Sequence, residues 1–492
     1  MFHNRTNELQ DLRGFISSRR SELVIVYGRR GVGKTALVRE AIRDQHHLIY
    51  QATTQTLPLQ MVDMTAALRS FAPHSVLPGV LPGVRAFLDA LAQLAGAQPE
   101  RPVIVVIDEL PYLAGADPAV PSEIQRWWDE IRRAEIKNLK LFLLGSMVSW
   151  MEEHTLSEHA PLYNRRTGQI MLGSMGYQEA ALFYPSYSAE ERIAAYAIWG
   201  GMPSYLVEVD PDMALWDNVL AGLLQPASRL AEEPGWLRYT DLRSDMIYSS
   251  ILRAIANKER RPSDIAKTVG RDSANDVLYP LDRLIDLGLV RRVIPIHEEA
   301  GTVSRRPLYS LNDHYIAFWY RYVSPLRNLL ALRRSEEALE VIKEDFDKYV
   351  SELAFEDVAR QFIQSLPRER LPGELRYERV GSWWTSHRDR SQAPQESDEI
   401  DVVAMHDGHA SLLGECKWSK QKMDKRDLSG LRAALLKATS DLKPIDNPWR
   451  ALFSRSGFTD DVIALSKDPG ERILLYTPED IYGATSAYPP ER

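Results

Sequence analysis

Residues 23–35 set the fold expected of this chain: they read Leu-Val-Ile-Val-Tyr-Gly-Arg-Arg-Gly-Val-Gly-Lys-Thr. Residues 23–27 form a continuous apolar, β-branched run, which is typical of a strand buried on both faces of a parallel sheet. The glycines that follow let the backbone turn tightly, so that its N–H groups can surround phosphate oxygens. The stretch therefore predicts a phosphate-binding loop between a buried strand and a helix.

Individual loop residues have separate predicted roles. Lys34 reaches the β- and γ-phosphates of a nucleoside triphosphate, and the Thr35 hydroxyl ligates Mg²⁺. The helix that follows directs its positive N-terminal end at the same anion. The residues predicted to bind ATP in this loop are Gly28, Arg29, Arg30, Gly31, Val32, Gly33, Lys34 and Thr35.

Two more apolar runs, at residues 103–107 and 139–144, extend the pattern. Helical patterns at 35–43 and 123–134 lie between the strands. Strands that alternate with helices indicate a doubly wound α/β domain with a parallel sheet. The chain is therefore predicted to be an α/β multidomain protein that begins with a P-loop domain.

Polar residues follow both of these runs. Asp108 fits the acid that holds Mg²⁺ through water, and Glu109 fits a base that polarises the attacking water. An Asp-Glu pair after a strand can also cap the next turn. Ser146 is placed either as a polar sensor of the γ-phosphate or as an ordinary turn serine.

Length, charge and cysteine content narrow the class of protein. At 492 residues, roughly three domains are expected, and the formal net charge of −8 excludes a uniformly basic surface. Any contact with nucleic acid must then come from a local patch. The single cysteine, Cys416, excludes an intrachain disulfide. With no apolar run of ~18 residues, we predict a cytoplasmic protein without a membrane segment.

The pattern of the whole chain predicts five segments. They are a P-loop ATPase core at 1–176, a helical lid at 177–244, a winged helix-turn-helix at 245–312, a helical connector at 313–345, and a separate α/β domain at 346–485.

The winged-helix prediction depends on three helices followed by two strands. Asp245 begins the first helix, Ser263 caps the second, and Ser273 caps a third that ends at Asp286. The third helix carries three acids and one arginine, whereas entry into the major groove favours positive charge. Arginines flank this third helix at Arg271, Arg291, Arg292, Arg305 and Arg306. Both DNA binding through the wing and a structural or subunit-contact role remain open.

Several motifs together resemble one family. They are Phe2-His-Asn-Arg, the phosphate loop, Ile-Asp-Glu at 107–109, Leu-Gly-Ser at 144–146, Pro-Leu-Tyr-Asn-Arg-Arg at 161–166 and Gly-Gly-Met-Pro at 200–203. In this order they resemble the archaeal-type ATPases, a STAND-related branch of the AAA-like P-loop proteins. The resemblance implies that Arg5 lies near the adenine and that Pro203 packs by the nucleotide. It also implies a switch ATPase with slow turnover.

Two adjacent arginines form a further candidate. Arg165 and Arg166 can place a guanidinium on the γ-phosphate of the same subunit or of a neighbouring one. Adjacent arginines are also common on solvated faces, and the sequence leaves these alternatives open.

A second constellation lies near the C-terminus. Asp401 lies in a strand-like run, and Glu415 and Lys417 follow in another, where alternation points both to one face. Two carboxylates can hold a divalent ion such as Mg²⁺, and a lysine can orient water or stabilise charge on phosphate. Glu356, in the helix that opens the segment, is a further candidate acid.

Motifs around these residues resemble the DUF234 domain, which is similar to PD-(D/E)XK nucleases. The motifs include Phe-Trp-Tyr-Arg at 318–321, Gly-Ser-Trp-Trp at 381–384 and Gly-Glu-Cys-Lys-Trp at 414–418. The resemblance implies a restriction-endonuclease-like fold with Glu356, Asp401, Glu415 and Lys417 at the active-site positions. The metal ligands would be Asp401 and Glu415, with Mg²⁺ or Mn²⁺. A degenerate nuclease fold kept as an interaction surface is the alternative.

The leading hypothesis is a nucleotide-switched nuclease that binds ATP or ADP and acts on DNA. A basic stretch between Glu415 and Lys437, with Trp418, suits a phosphate backbone or equally a solvated helix face. The competing hypotheses are a STAND-like signalling ATPase with a non-catalytic C-terminal domain and a DNA-binding regulator. A protein partner and homo-oligomerisation are compatible with each of them.

Overall fold

The computed structural model describes residues 3–74, 79–232, 246–298, 304, 307–385 and 399–483. Phe2, Asp245, Arg305 and Arg306, which the sequence analysis used, lie outside these ranges. The chain divides into two compact units. The first comprises residues 1–174 with 286–288, and the second comprises 175–285 with 289–492.

A five-stranded sheet forms the centre of the first unit. Its order is β2-β3-β4-β1-β5, and all neighbouring strands are parallel. The strands are β1 (Glu22–Tyr27), β2 (His47–Gln51), β3 (Val103–Asp108), β4 (Leu139–Gly145) and β5 (Gly168–Met171). Every residue of β1, β3 and β4 is buried, because these strands lie inside the sheet with helices on both faces. The predicted parallel α/β fold is confirmed.

Helices cover this sheet. They are Thr6–Ser17, Lys34–Ala41, Leu57–Phe71, Val84–Ala97, Leu110–Ala116, Val120–Arg133 and Val148–Met151, followed by a π-helical turn at Glu152–Leu156. The helix Val120–Arg133 shows why such segments form: Ile124, Trp127, Trp128 and Ile131 recur on one face and are buried.

The second unit begins with helices. They are Tyr177–Ala180, Ala189–Trp199, Pro203–Leu206, Leu215–Gly222, Arg229–Glu232, Met246–Ala256, Pro262–Thr268, Asn275–Asp286, His314–Phe318, Arg327–Ala331, Ser335–Tyr349 and Glu356–Ser365. The last two are joined by a π-helical turn at Val350–Phe355, and another follows His314–Phe318. Aromatic side chains of the connector, among them Tyr315, Phe318 and Trp319, are buried.

A short hairpin follows the helix Asn275–Asp286. It pairs β6 (Val290–Val293) with β7 (Leu308–Leu311) in antiparallel register. The chain beyond β6 packs into the C-terminal sheet: the Ile296 N–H donates to the Ser382 carbonyl at 3.0 Å. Ile296 is 8% exposed and belongs to the same apolar core as Trp383 and Leu413. The hairpin and the C-terminal sheet therefore share a core.

The C-terminal sheet is mixed, with the order β12-β11-β10-β9-β8. The strands are β8 (Arg379–Trp384), β9 (Glu399–His406), β10 (His409–Lys417), β11 (Trp449–Ser454) and β12 (Ile473–Tyr476). Strands β8, β9 and β10 are antiparallel, and β10, β11 and β12 are parallel. The helices Lys425–Leu442, Asp460–Ser466 and Pro478–Ile481 complete this part.

Among the described residues, no helix has the length and apolarity that crossing a membrane requires.

Candidate functional site

The phosphate loop joins β1 to the helix Lys34–Ala41 at the carboxyl edge of the parallel sheet. Three of its glycines have positive φ: Gly28 at 152°, Gly31 at 85° and Gly33 at 94°. A Cβ on Gly28 would lie 2.2 Å from the Leu172 carbonyl oxygen. No side chain fits there, so the backbone can turn closely around an anion as the motif predicts.

Lys34 is buried and folds over the loop. Its ammonium donates to the carbonyls of Gly28 at 2.8 Å and Arg29 at 3.2 Å. Burial lowers the pKa of Lys34, and the nearby carboxylates of Glu109 and Asp108 oppose that shift. The ammonium lies among neutral carbonyl acceptors and can exchange these bonds for stronger ones to phosphate.

Thr35 and Asp108 meet beside the loop. The Thr35 hydroxyl donates to Asp108 Oδ2 at 2.6 Å, and Asp108 Oδ1 accepts from the Glu109 N–H at 3.0 Å. Asp108 is 1% exposed. A hydroxyl and a carboxylate in contact are the oxygen donors that Mg²⁺ prefers next to a nucleotide phosphate. The residues present therefore fit the predicted Mg²⁺ site.

Glu109 and Ser146 also meet at this edge. Glu109 has a φ of 57°, which is unusual for a residue with a side chain, and its Oε2 accepts from both the hydroxyl and the N–H of Ser146, at 2.7 and 3.1 Å. Strained backbone of this kind concentrates at functional sites. The two residues that the sequence assigned separately, as base and as sensor, form one hydrogen-bonded pair.

Arg5 lies close to the segment that supports the loop. Its guanidinium donates to the Gly173 carbonyl at 2.5 Å and to Glu8 at 3.2 Å. Gly173 follows Leu172, whose carbonyl faces Gly28. Pro203, the other residue that the family resemblance assigned to the nucleotide, begins a helix of the second unit. Their roles in binding the nucleotide remain predictions.

Arg165 and Arg166 lie just before β5, and both guanidinium groups have partners within the first unit. Thr167, which follows them, donates its N–H to the Leu23 carbonyl at the start of β1. The Arg165 guanidinium binds Asp129 at 3.2 and 3.3 Å, and that of Arg166 donates to the Tyr163 carbonyl at 2.6 Å. The charge of Arg166 also acts on the phenol of Tyr27, the last residue of β1, where it opposes the burial that raises the pKa of that group. Action on a nucleotide of the same subunit stays a prediction, as does action on that of a neighbouring subunit.

The predicted C-terminal acids converge in the second unit. Asp401 on β9 and Glu415 on β10 lie on antiparallel neighbours. The Asp401 carboxylate accepts the Cys416 N–H at 2.8 Å, which ties its side chain to the strand that carries Glu415. Glu356 is the first residue of its helix, directly after the π-helical turn.

Repulsion among the carboxylates of this cluster, together with burial, raises their pKa values. Burial and the charge of Asp401 raise the pKa of Glu356 well above its ordinary value. Burial and Glu415 do the same to the pKa of Asp401. Burial, with Asp427 and Glu356 nearby, raises the pKa of Glu415 to about 7. Carboxylates in this state take up a proton or a cation readily.

Two residues that the sequence analysis missed hold the cluster together. Arg360 donates to the Asp401 carbonyl at 2.9 Å and to Glu356 at 3.5 Å. Asp427 accepts from Lys417 at 2.9 Å, so the predicted active-site lysine is ion-paired. Arg360 follows Glu356 at the i,i+4 spacing of helical ion pairs, which is a signal that the sequence does contain. The Lys417–Asp427 pair had no such signal.

The donor set fits a hard cation, because carboxylate oxygens are the ligands that Mg²⁺ and Mn²⁺ prefer. Of the described residues, a group whose ligand atoms already lie within 4.8 Å of one another occurs elsewhere, at Glu378, His406 and Asp407. That group lies at the far end of β9 and is largely exposed. The predicted acids would have to approach one another to share one ion.

Comparison with known families matches both parts of the chain. Residues 2–209 match the family described as an ATPase domain predominantly from Archaea. Residues 319–428 match DUF234, described as archaeal and bacterial proteins of unknown function. The chain carries an archaeal-type ATPase domain and a DUF234 domain. The resemblances to the archaeal-type ATPases and to the DUF234 domain are confirmed, whereas the similarity to PD-(D/E)XK nucleases stays a prediction.

Individual relatives give less detail. The uncharacterized protein MJECL04 of Methanocaldococcus jannaschii is 29% identical over 426 residues, which cover 86% of this chain and 88% of that protein. The Walker-type ATPase PABY2304 of Pyrococcus abyssi is 18% identical, covers 65% of this chain and 96% of its own, and has a TM-score of 0.49. The Aeropyrum pernix ORC2 protein, in ADPNP–ADP complexes, is 15% identical. The match covers 68% of this chain and 96% of that protein, with a TM-score of 0.42.

Proposed function

We propose that this chain is an ATP-hydrolysing switch whose nucleotide state controls a metal-dependent nuclease-like site acting on DNA. The ATPase half is supported by the phosphate loop and by the two acid–hydroxyl pairs beside it. Glycine N–H groups and Lys34 bind the phosphates, and Thr35 with Asp108 would hold Mg²⁺, which neutralises phosphate charge when bound. Glu109, oriented by Ser146, accepts a proton from the attacking water.

One observation supports the nuclease half above the others: Glu356, Asp401 and Glu415 raise one another's pKa values at one end of the mixed sheet. Folding places these carboxylates together against repulsion, which is typical of acids arranged to bind a cation or transfer a proton. Mg²⁺ or Mn²⁺ would be held by Asp401 and Glu415 and would supply Lewis-acid stabilisation of a phosphodiester. Lys417 would stabilise negative charge on that phosphate.

The test is a nuclease assay on single- and double-stranded DNA, with Mg²⁺ or Mn²⁺, in the presence and absence of ATP. We expect cleavage that depends on metal and changes with ATP. It should fall at least about 100-fold, as losing a charge-stabilising group does, in Glu415→Ala combined with Lys417→Ala. Glu344→Ala combined with Lys348→Ala, on the helix Ser335–Tyr349 of the same unit, is the matched control. Cleavage that survives unchanged in the site variant would overturn the nuclease assignment.

A second candidate is a signalling ATPase with a non-catalytic C-terminal domain. The ion pairs of this site favour it, because Asp427 neutralises Lys417 and Arg360 occupies the space between Glu356 and Asp401. Under this alternative the protein shows no cleavage with any metal, while its mass or oligomeric state in light scattering changes on nucleotide loading. A homo-oligomer or a protein partner would then be the output.

The helices and the hairpin between Met246 and Leu311 support a winged helix-turn-helix in the third of the five predicted segments. Its candidate recognition helix exposes Leu278 and Tyr279, which are 38% and 71% exposed, and is acidic. The stretch after β6 is engaged by the C-terminal sheet through Ile296. A structural role is therefore favoured over DNA reading. Titration with duplex DNA at several salt concentrations tests this, because phosphate contacts would give a steep salt slope.

A further inference from the structure

A pocket lies at the amino edge of the parallel sheet in the first unit, where the chain enters β1, β4 and β5. Its volume is about 540 Å³, within the range of small-molecule sites. Ser21, Lys137 and Thr167 line it, each just before one of these strands. The six residues of β1 separate Ser21 from the phosphate loop, which is about 20 Å along a strand. The pocket is therefore distinct from the nucleotide site.

Positive charge dominates the lining of this pocket. Five lining residues are basic and one, Glu135, is acidic; the basic ones are Arg20, Arg132, Lys137, Arg165 and Arg166. The chain as a whole carries a formal net charge of −8. A cationic concavity in an acidic protein focuses a local field that attracts anions.

Two of these cations are free to bind. Arg132 and Lys137 are exposed, and neither has an ion-pair or side-chain hydrogen-bond partner among the residues that the structure describes. Arg132 lies in the last turn of the helix Val120–Arg133, and Lys137 lies in the short link to β4. The helix and the link that carry these two residues lead directly into β4, so the sheet fixes their position beside the pocket.

The paired arginines are held in place and retain spare donors. Asp129 binds the Nε and Nη2 groups of Arg165, and Arg166 uses Nη1 for the Tyr163 carbonyl while its guanidinium lies 4.9 Å from the ring of Tyr163. A guanidinium has five N–H donors in a rigid fork that matches phosphate oxygens. Asp129 and Tyr163 therefore orient these groups without using all of their donors.

The remaining lining supplies an apolar floor. Trp128 is 1% exposed and lines the pocket beside Ile136, and its indole N–H has no acceptor among the described residues. A buried indole donor normally finds a partner. The pocket thus combines cations, an unused donor and apolar surface.

We propose that this pocket binds a phosphate-bearing ligand. Arg132 and Lys137 neutralise the phosphate, and Arg165 with Arg166 orients it. This inference is independent of the nuclease proposal. Two sources present the same chemistry: a small phosphorylated compound free in solution, and the nucleotide in the phosphate loop of a second copy of this chain.

The first arm of the test uses full-length Lys34→Ala protein, in which the phosphate loop is disabled. Inorganic tripolyphosphate and ATP are titrated calorimetrically into this protein and into the same protein carrying Arg132→Ala and Lys137→Ala. For a small free ligand we expect saturable binding to the first, weakened at least about tenfold in the second. The matched control adds Arg126→Ala and Arg133→Ala instead, which remove the same amount of charge from the helix that carries Arg132 but lie outside the pocket lining.

The second arm of the test asks whether the phosphate-bearing ligand is the nucleotide bound to a second copy of the chain. Lys34→Ala protein, which has an intact pocket, is mixed with Arg132→Ala/Lys137→Ala protein, which has an intact loop. If the source is a second copy, ATP hydrolysis by the mixture rises at least about threefold above the sum of the two alone. Protein that carries the control substitutions Arg126→Ala and Arg133→Ala, with an intact loop and pocket, should hydrolyse ATP without the Lys34→Ala protein. The proposal is overturned if the pocket variant and its control, both folded by circular dichroism, behave alike in both arms.

Discussion

The two candidate sites of this protein arrange their carboxylates in opposite ways. At the phosphate loop, Asp108 and Glu109 each accept hydrogen bonds from a hydroxyl, those of Thr35 and Ser146. In the mixed sheet, the three acids lie near one another, and repulsion with burial raises their pKa values. Neutral hydroxyls stabilise a carboxylate without supplying charge, whereas repelling carboxylates are stabilised by a proton or a cation.

The difference indicates what each site is prepared to bind. The acids beside the loop are hydrogen-bonded and the loop glycines allow its backbone to turn around an anion, so we expect it to bind phosphate with an accompanying cation. The C-terminal cluster lacks that balance, so we expect its stability to depend on pH and, under the proposed function, on divalent ions. Substitutions at either site therefore test this contrast.

Replacing Lys34 by Ala should have the largest effect. The ammonium is buried against the loop carbonyls, and its loss removes a charge-assisted contact to phosphate worth roughly 4 kcal/mol, or about 1,000-fold in Kd. Binding of a fluorescent ATP analogue measures it. Arg39→Ala, on an exposed turn of the same helix, should bind within about twofold of wild type. Equal affinity in Lys34→Ala would show that the loop is not the nucleotide site.

Replacing Glu109 by Gln should give the next largest effect. The amide keeps the size of the side chain and can still accept from Ser146 but cannot take a proton, so kcat should fall about 100-fold while the Kd for ATP stays within about threefold. Phosphate release and nucleotide titration measure the two quantities. Glu100→Gln, on the exposed surface of the same unit, is the control. A loss of binding instead of turnover would make Glu109 a structural residue.

The smallest effect concerns pH and the C-terminal cluster. The pKa of Glu415 is about 7, above that of an unfolded glutamate, so the folded state holds the proton longer and stability falls as pH rises from about 4.5 to 7. Glu415→Gln removes this penalty. After solvent screening we expect about 1–2 kcal/mol more stability than wild type at pH 8, and little difference at pH 4.

Thermal unfolding followed from pH 4 to pH 8 measures this difference. Glu344→Gln, an exposed substitution in the same unit, should follow wild type throughout. Parallel pH curves for wild type and Glu415→Gln would mean that the carboxylates are further apart in solution than the geometry implies. Such a result would remove the basis of the cation site.

The first unit was predicted well from the sequence because its signals are local. The runs at 23–27, 103–107 and 139–144 became β1, β3 and β4, since strands buried on both faces are uniformly apolar. Strand β2, with the sequence His-Leu-Ile-Tyr-Gln, was missed. It lies at the sheet edge, and its partly exposed residues mix polar and apolar types.

The sequence allowed us to predict which residues belong to the candidate sites, but not all of the contacts that these residues make. The strands that carry Asp401 and Glu415 pair as expected, because their spacing allows a tight hairpin. The partners of Lys417 and Arg165 were not foreseen, since Asp427 and Asp129 reach them only through tertiary packing. The direction of β5 likewise decided which part of β1 lies beside the residues that follow Arg165, and strand direction is a property of topology.

Ile296 limits how this protein can be divided experimentally. Its side chain completes the apolar core of the mixed sheet, more than 80 residues before Trp383 in the chain. A fragment that starts at residue 319, where the DUF234 match begins, would lack that side chain, and one that ends at 428 would lack β11 and β12. Such a fragment would expose a hydrophobic gap and aggregate. Recombinant work on the C-terminal half should therefore keep the hairpin and the last strands together.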